Sequence, residues 1–228
     1  MGFASAWLNE KALFPEFIKE TPDNQTGIIV VVPAFDEPGI TTLLNSLKSC
    51  IEPDCKVEVI IVVNAPADAS QESLKNNRNC IKNIEQWRND NKNLFFRLYD
   101  VNTGKAPIAE WGVGLARKTG MDEALRRFDT LQRPEGAIVC LDADCTVKTD
   151  YFTALCNEFV KKKERKACSL YFEHPLSGNQ FPERIYSYIT LYELHMRYFV
   201  QGLKYSGFPY AFHTVGSAMA VKALQAGL

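Results

Sequence analysis

Short runs of β-branched and other apolar residues recur along the chain, each followed by a longer stretch whose apolar positions return every three or four residues. The four runs are Gly27–Pro33 (GIIVVVP), Val57–Val63, Leu94–Val101 and Gly136–Asp144. The first is apolar on both faces instead of alternating, as is the fourth until it ends in two carboxylates, the pattern of strands covered above and below in a parallel sheet. Between them, Pro38–Cys50 carries Ile40, Leu43, Leu44 and Leu47 at helical spacing, with Pro38 suited to a first-turn position. A polar segment after the second run carries Leu74, Ile81, Ile84 and Trp87. A loop, NTGKAP, follows the third run, and Ile108–Phe128 then reads as a longer helix interrupted or kinked near Gly120. The rhythm is that of βαβ units, so the expected fold is α/β: a doubly wound, mostly parallel sheet flanked by helices.

Past Asp150 the texture changes to a helix over Tyr151–Lys163, a strand over Ala167–Phe172 and a segment rich in tyrosine. There Ile185, Ile189, Tyr192 and Met196 have helical spacing, which favours a packed helix over a platform for stacking ligands. With no repeat, low-complexity tract or linker in view, one domain is the simpler expectation.

In open α/β sheets ligands bind beyond the carboxyl ends of the strands, which makes the residues at those ends the ones to read for chemistry. The first run hands over Pro33-Ala34-Phe35-Asp36-Glu37, the second Asn64-Ala65-Pro66, the third Thr103-Gly104-Lys105 and the fourth Asp142-Ala143-Asp144. If the fourth strand persists through them, Asp142 and Asp144 share a face, since side chains alternate with period two. Two carboxylates there suit a divalent cation bridging to a diphosphate, because Mg²⁺ or Mn²⁺ takes one or two protein carboxylates with phosphate and water. The plainer alternative is an acidic turn. Asp36 and Glu37 suit a ribose hydroxyl or a base N–H, or else simply complement the following helix dipole. Lys105 could reach a phosphate or be an ordinary exposed lysine. Gly112-Val113-Gly114 is not a dinucleotide motif, because Arg117 stands where the third glycine would be.

Composition narrows the function classes. The 228 residues hold 26 Lys and Arg against 27 Asp and Glu, a net charge of −1, which argues against nucleic acid as partner. Seven scattered cysteines without a CxxC pair, and three distant histidines, argue for reduced thiols and against a zinc cluster. The longest apolar run, Ile28–Phe35, is far below the roughly 20 residues that cross a bilayer, and the first residues lack the pattern of a secretory signal. No transmembrane segment and a cytoplasmic location are expected, with the inner face of a membrane as a further place of association.

The succession VVVPAFDE, VEVIIVVN and IVCLDADCTV, followed by HTVGSAMAV at His213–Val221, resembles the GT-A-fold glycosyltransferases of family 2 over about Gly27–Val221. The resemblance implies a nucleotide-diphosphate sugar donor, a carbohydrate or lipid-linked acceptor and a Mn²⁺ or Mg²⁺ cofactor. It sets Pro33, Ala34, Phe35 and Glu37 around the nucleoside, with Asp36 where the family usually has Asn and Asn64 where it commonly has a base-contacting Asp. Asp142 would face the ribose or metal and Asp144 would be the metal ligand. It also implies a catalytic base from an acidic segment that follows the GS pair by a few tens of residues, so the end at Leu228 reads as an incomplete acceptor half, after an extension over residues 1–26 and a nucleotide-binding half over 27–150. Glu173 and Glu193 are the substitutes present. A nucleotidyltransferase and a non-catalytic nucleotide-binding module are the alternatives.

Overall fold

In the computed structural model, which describes residues 2–105, 112–209 and 218–227, the chain divides into two compact units, Met1–Cys168 with Ala220–Leu228, and Ser169–Met219. The elements are α1 (Ser5–Lys11), β1 (Thr26–Ala34), α2 (Ile40–Lys48), β2 (Lys56–Ala65), α3 (Gln71–Asp90), β3 (Phe96–Lys105), α4 (Val113–Leu131), β4 (Ala137–Cys140), α5 (Tyr151–Leu155), β5 (Ala167–Ser169), α6 (Glu183–Tyr205), β6 (Met219–Lys222) and α7 (Ala223–Ala226). They form a six-stranded sheet of order β3-β2-β1-β4-β6-β5. β1 pairs in parallel with β2 and β4, and β2 with β3, as the apolar runs predict. β5 and β6 are antiparallel, joined by the Leu170 N–H to Ala218 carbonyl and Lys222 N–H to Lys166 carbonyl bonds.

Alternation along each strand supplies two buried faces. Ile29, Val31, Ile60, Val62 and Val101 pack against Ala116, Ala124, Leu125 and Phe128 of α4. The opposite face carries Phe96, which stacks on Trp87 of α3 and meets Phe152 of α5. α4 runs without interruption through Gly120, contrary to the expected break. A Cβ there would lie 2.4 Å from Val31 Cγ1, so the glycine lets the helix approach the sheet closely.

Other boundaries move for local reasons. β3 continues through Asn102–Lys105, where a loop was expected, because Gly104 and Lys105 keep pairing with Asn64 and Ala65 after a bulge. Gly104 takes the positive φ, 64°, that the irregularity requires. Pro38 lies ahead of α2, whose N-cap is Gly39. The helix expected over Tyr151–Lys163 is α5 followed by a π turn over Cys156–Val160.

The segment before β1 is tied to α4 through its backbone. Asp129 accepts from the Ala4 N–H, Glu123 from the Phe17 and Ile18 N–H groups, and Arg127 donates to the Glu20 carbonyl. Arg127 also makes a buried, bidentate pair with Glu58 of β2. All seven cysteines are free thiols. No helix among the described residues is long and apolar enough to cross a membrane.

Candidate functional site

β1 is flanked by β2 on one side and β4 on the other, so successive connections leave it in opposite directions, and this is where a crevice opens beyond the strand ends. A pocket of about 370 Å³ occupies it, lined by Pro33 and Ala34 at the end of β1 with Phe35 and Glu37 beyond it, Asn64 at the end of β2 with Pro66 beyond it, Gly112 and Val113 at the start of α4, and Asp142, Ala143 and Asp144 after β4. Seven of the residues singled out from the sequence, Pro33, Ala34, Phe35, Glu37, Asn64, Asp142 and Asp144, are thus brought together.

Two are not. Asp36 is absent from the lining although both its neighbours face the pocket. Its backbone has φ 59°, and its carboxylate accepts from Ser73 Oγ at 3.0 Å and Asn76 Nδ2 at 2.6 Å on α3. Lys105 ends β3, and its side chain lies outside the described residues, as do residues 213–217 of the segment likened to a GS pair.

β4 ends at Cys140, so Asp142 and Asp144 stand on a turn and not on one face of a continuing strand. The Cys145 N–H closes that turn on the Asp142 carbonyl at 3.3 Å. Arg117 of α4 donates to Asp142 Oδ1 at 2.8 Å, and Cys145 Sγ lies 3.7 Å from Asp144 Oδ1. Burial first, then the Asp144 and Asp142 charges, push the Cys145 thiol up to about 11, so it stays protonated at neutral pH. Burial likewise raises the Glu37 carboxyl above its ordinary value, with Asp144, Asp36 and Asp142 adding to the effect in that order. Negative charge gathered closely enough to raise the proton affinity of Glu37 also attracts cations.

Among the described residues no three His, Cys, Asp or Glu side chains gather as a metal cage. The donor set nevertheless fits a hard cation held jointly with a diphosphate: Asp144, exposed at the rim, and Asp142 are the one or two carboxylates such an ion takes from protein.

Glu173 and Glu193 belong to the second unit. Glu193 is buried and accepts from the His174 N–H at 3.1 Å, from His174 Nδ1 at 2.7 Å and from Arg197. Burial pushes its carboxyl up, but the His174 and Arg197 hydrogen bonds outweigh that and hold it below the usual range. A carboxylate so occupied is a poor proton acceptor. Glu173 is exposed, accepting from Tyr171 and paired with Arg197 at 3.5 Å. On α6 the stripe of Ile185, Ile189 and Met196 is half-buried, whereas Tyr192 of the same stripe and Tyr188, Tyr198 and Tyr205 are exposed.

Sequence reading missed Arg117 and Asn77. From sequence Arg117 figures only as a break in a glycine pattern, and its position about one helical turn into α4 is the available signal. Asn77 was hidden among the polar residues of α3. It is buried in the stripe it shares with Cys80, Ile84 and Trp87.

No protein-family profile matches the chain, and no curated protein does. Among solved structures it is similar to S. aureus TarS 1–349 in complex with UDP, at 20% identity and TM-score 0.44, covering 68% of this chain and 38% of that one. It is also similar to the mannosyltransferase PcManGT from Pyrobaculum calidifontis in complex with GDP-Man and Mn²⁺, at 17% identity and TM-score 0.45, covering 96% and 50%. A third is glucosyl-3-phosphoglycerate synthase from Mycobacterium tuberculosis in complex with UDP, at 12% identity and TM-score 0.48, covering 91% and 64%. The chain spans between 38% and 64% of the length of these three.

Proposed function

We propose that the pocket binds the nucleotide diphosphate of a sugar donor and that the chain is a glycosyltransferase of the GT-A kind, moving the sugar to a hydroxyl of a carbohydrate or lipid-linked acceptor. The observation that carries this reading is the convergence of Glu37, Asn64, Asp142 and Asp144 on one crevice at the switch point of the sheet, with the start of α4 forming part of its wall. Each supplies a different part of donor recognition. Glu37 and the Asn64 amide suit the hydroxyls and N–H groups of a nucleoside, Phe35 and Pro33 offer apolar surface to a base, and the α4 N-terminus favours a phosphate.

Asp144 and Asp142 are the residues that would hold Mn²⁺ or Mg²⁺. When bound, such an ion neutralises charge on the leaving diphosphate. Arg117 keeps Asp142 in place and offsets part of the carboxylate repulsion that would otherwise oppose an anionic ligand.

The test is calorimetric titration with UDP, GDP, CDP and their sugars, with and without Mn²⁺, on the parent and Asp144→Asn. A ligand at 100 times its dissociation constant stabilises the fold by about 2.7 kcal/mol, so thermal unfolding supplies a parallel readout. The expected result is metal-dependent binding in the parent that Asp144→Asn largely loses. Binding equal in both would remove the metal assignment, and binding of nucleoside triphosphates with release of pyrophosphate would replace sugar transfer by nucleotidyl transfer.

A further inference from the structure

Asp36 lies between two residues that line the pocket and yet faces away from it. The carboxylate is held by Ser73 and Asn76 in the first two turns of α3, where the helix dipole favours a negative charge. Its φ of 59° belongs to the left-handed region, which among residues with a side chain Asp and Asn tolerate best. That conformation turns Asp36 toward α3 while Phe35 and Glu37 meet the pocket.

Asn77, only 8% exposed, completes the arrangement. Its Oδ1 accepts from the Asp36 N–H at 2.9 Å, and its Nδ2 donates to the Asn64 carbonyl at 2.7 Å. One buried side chain thus joins the chain leaving β1 to the chain leaving β2, the two walls that carry Glu37 and Asn64. Packing alone gives no reason for an amide there. The position continues the buried stripe of Cys80, Ile84 and Trp87, and a buried polar group is costly unless its hydrogen bonds are made.

We propose that Asp36 and Asn77 are positioning residues: together they latch the β1 and β2 exits to α3 and thereby set the separation and orientation of Glu37 and Asn64 across the ligand pocket. The proposal rests on the reading of that pocket as a nucleotide site, and it assigns Asp36 an indirect role in place of direct contact with the nucleoside. Asp36→Gly removes the carboxylate and keeps the backbone conformation accessible, Asn77→Leu removes both amide bonds, and Asp36→Asn retains acceptor and conformation.

The experiment measures, for the whole chain, UDP and GDP affinity with Mn²⁺ by calorimetry, and amide hydrogen exchange across Phe35–Glu37 without nucleotide. Asp36→Gly and Asn77→Leu are expected to weaken binding by about tenfold, the size of one or two lost hydrogen bonds, and to speed exchange, while unfolding stays cooperative. Asp36→Asn is expected to restore both measurements. Parental affinity in Asp36→Gly overturns the proposal, whatever becomes of Asn77→Leu. If the parent binds no nucleotide, the reading of the pocket fails and exchange decides the latch: faster exchange in Asp36→Gly upholds it, and unchanged exchange overturns it.

Discussion

The Arg117 guanidinium donates to Asp142 across 2.8 Å, and both groups are largely withdrawn from water, with side-chain exposures of 16% and 35%. Helix α4 thereby reaches the turn that follows β4, and among the described residues Arg117 sets a cation beside Asp142, which shares the pocket with the carboxylates of Glu37 and Asp144.

Arg117→Gln is therefore expected to lower stability by about 1–3 kcal/mol, the range for a charged hydrogen bond whose partner remains partly buried. Urea unfolding measures it. Nucleotide affinity should fall as well, because the Asp142 charge is then left uncompensated beside an anionic ligand. An unchanged urea midpoint would mean that solvent replaces the guanidinium at no cost.

Glu37 predicts a pH dependence of definite sign. Its folded carboxyl titrates above the ordinary 4.5, so the folded state binds a proton that the unfolded state has released, and stability falls as pH rises through that interval. Glu37→Gln should accordingly raise the melting temperature at pH 7, with the gain shrinking as pH falls toward 4.5 and gone below it. Melting curves of both proteins across pH 4–7 check this, and a gain independent of pH would assign it to something other than the charge.

Gly120→Ala tests the close approach of α4. An alanine in a helix interior ordinarily gains about 1 kcal/mol over glycine. Here the added Cβ meets Val31 Cγ1 at 2.4 Å and Val62 Cγ2 at 3.0 Å, so overpacking costing about 1–3 kcal/mol should reverse the sign. Chemical denaturation decides between the two.

In the second unit, Glu193 has a folded carboxyl held below its ordinary 4.5, so its contribution is present above that value and is lost as pH falls through the lower, folded one. Glu193→Gln should destabilise the helix that carries it at pH 7, with the difference from the parent narrowing under acid. Limited proteolysis across Glu183–Tyr205 at pH 7 and pH 4 reports it.

What the residues determined by themselves is the layered framework. Runs such as Ile28–Val32 and Val57–Val63 are apolar on both faces, and only a strand covered from both sides uses that pattern, so the parallel sheet and the place of the crevice were legible before any coordinates. The grouping of Glu37, Asn64, Asp142 and Asp144 follows from the same logic, since consecutive parallel strands deliver their exits to one edge.

Tertiary structure decided the partners. Asp36 and Glu37 are adjacent acids with the same local signal, yet one faces α3 and the other the pocket, because Ser73 and Asn76, 37 and 40 residues away, donate to the Asp36 carboxylate. Asp122, Glu123 and Arg127 of α4 carry charge and are nevertheless buried, because the chain before β1 brings its backbone groups to them. Glu193, a substitute base on the sequence reading, is saturated by His174 and Arg197. Local periodicity reports which face of an element is apolar, whereas the fate of a charge depends on what distant chain is folded against it, and burial allows that charge only where hydrogen bonds are waiting.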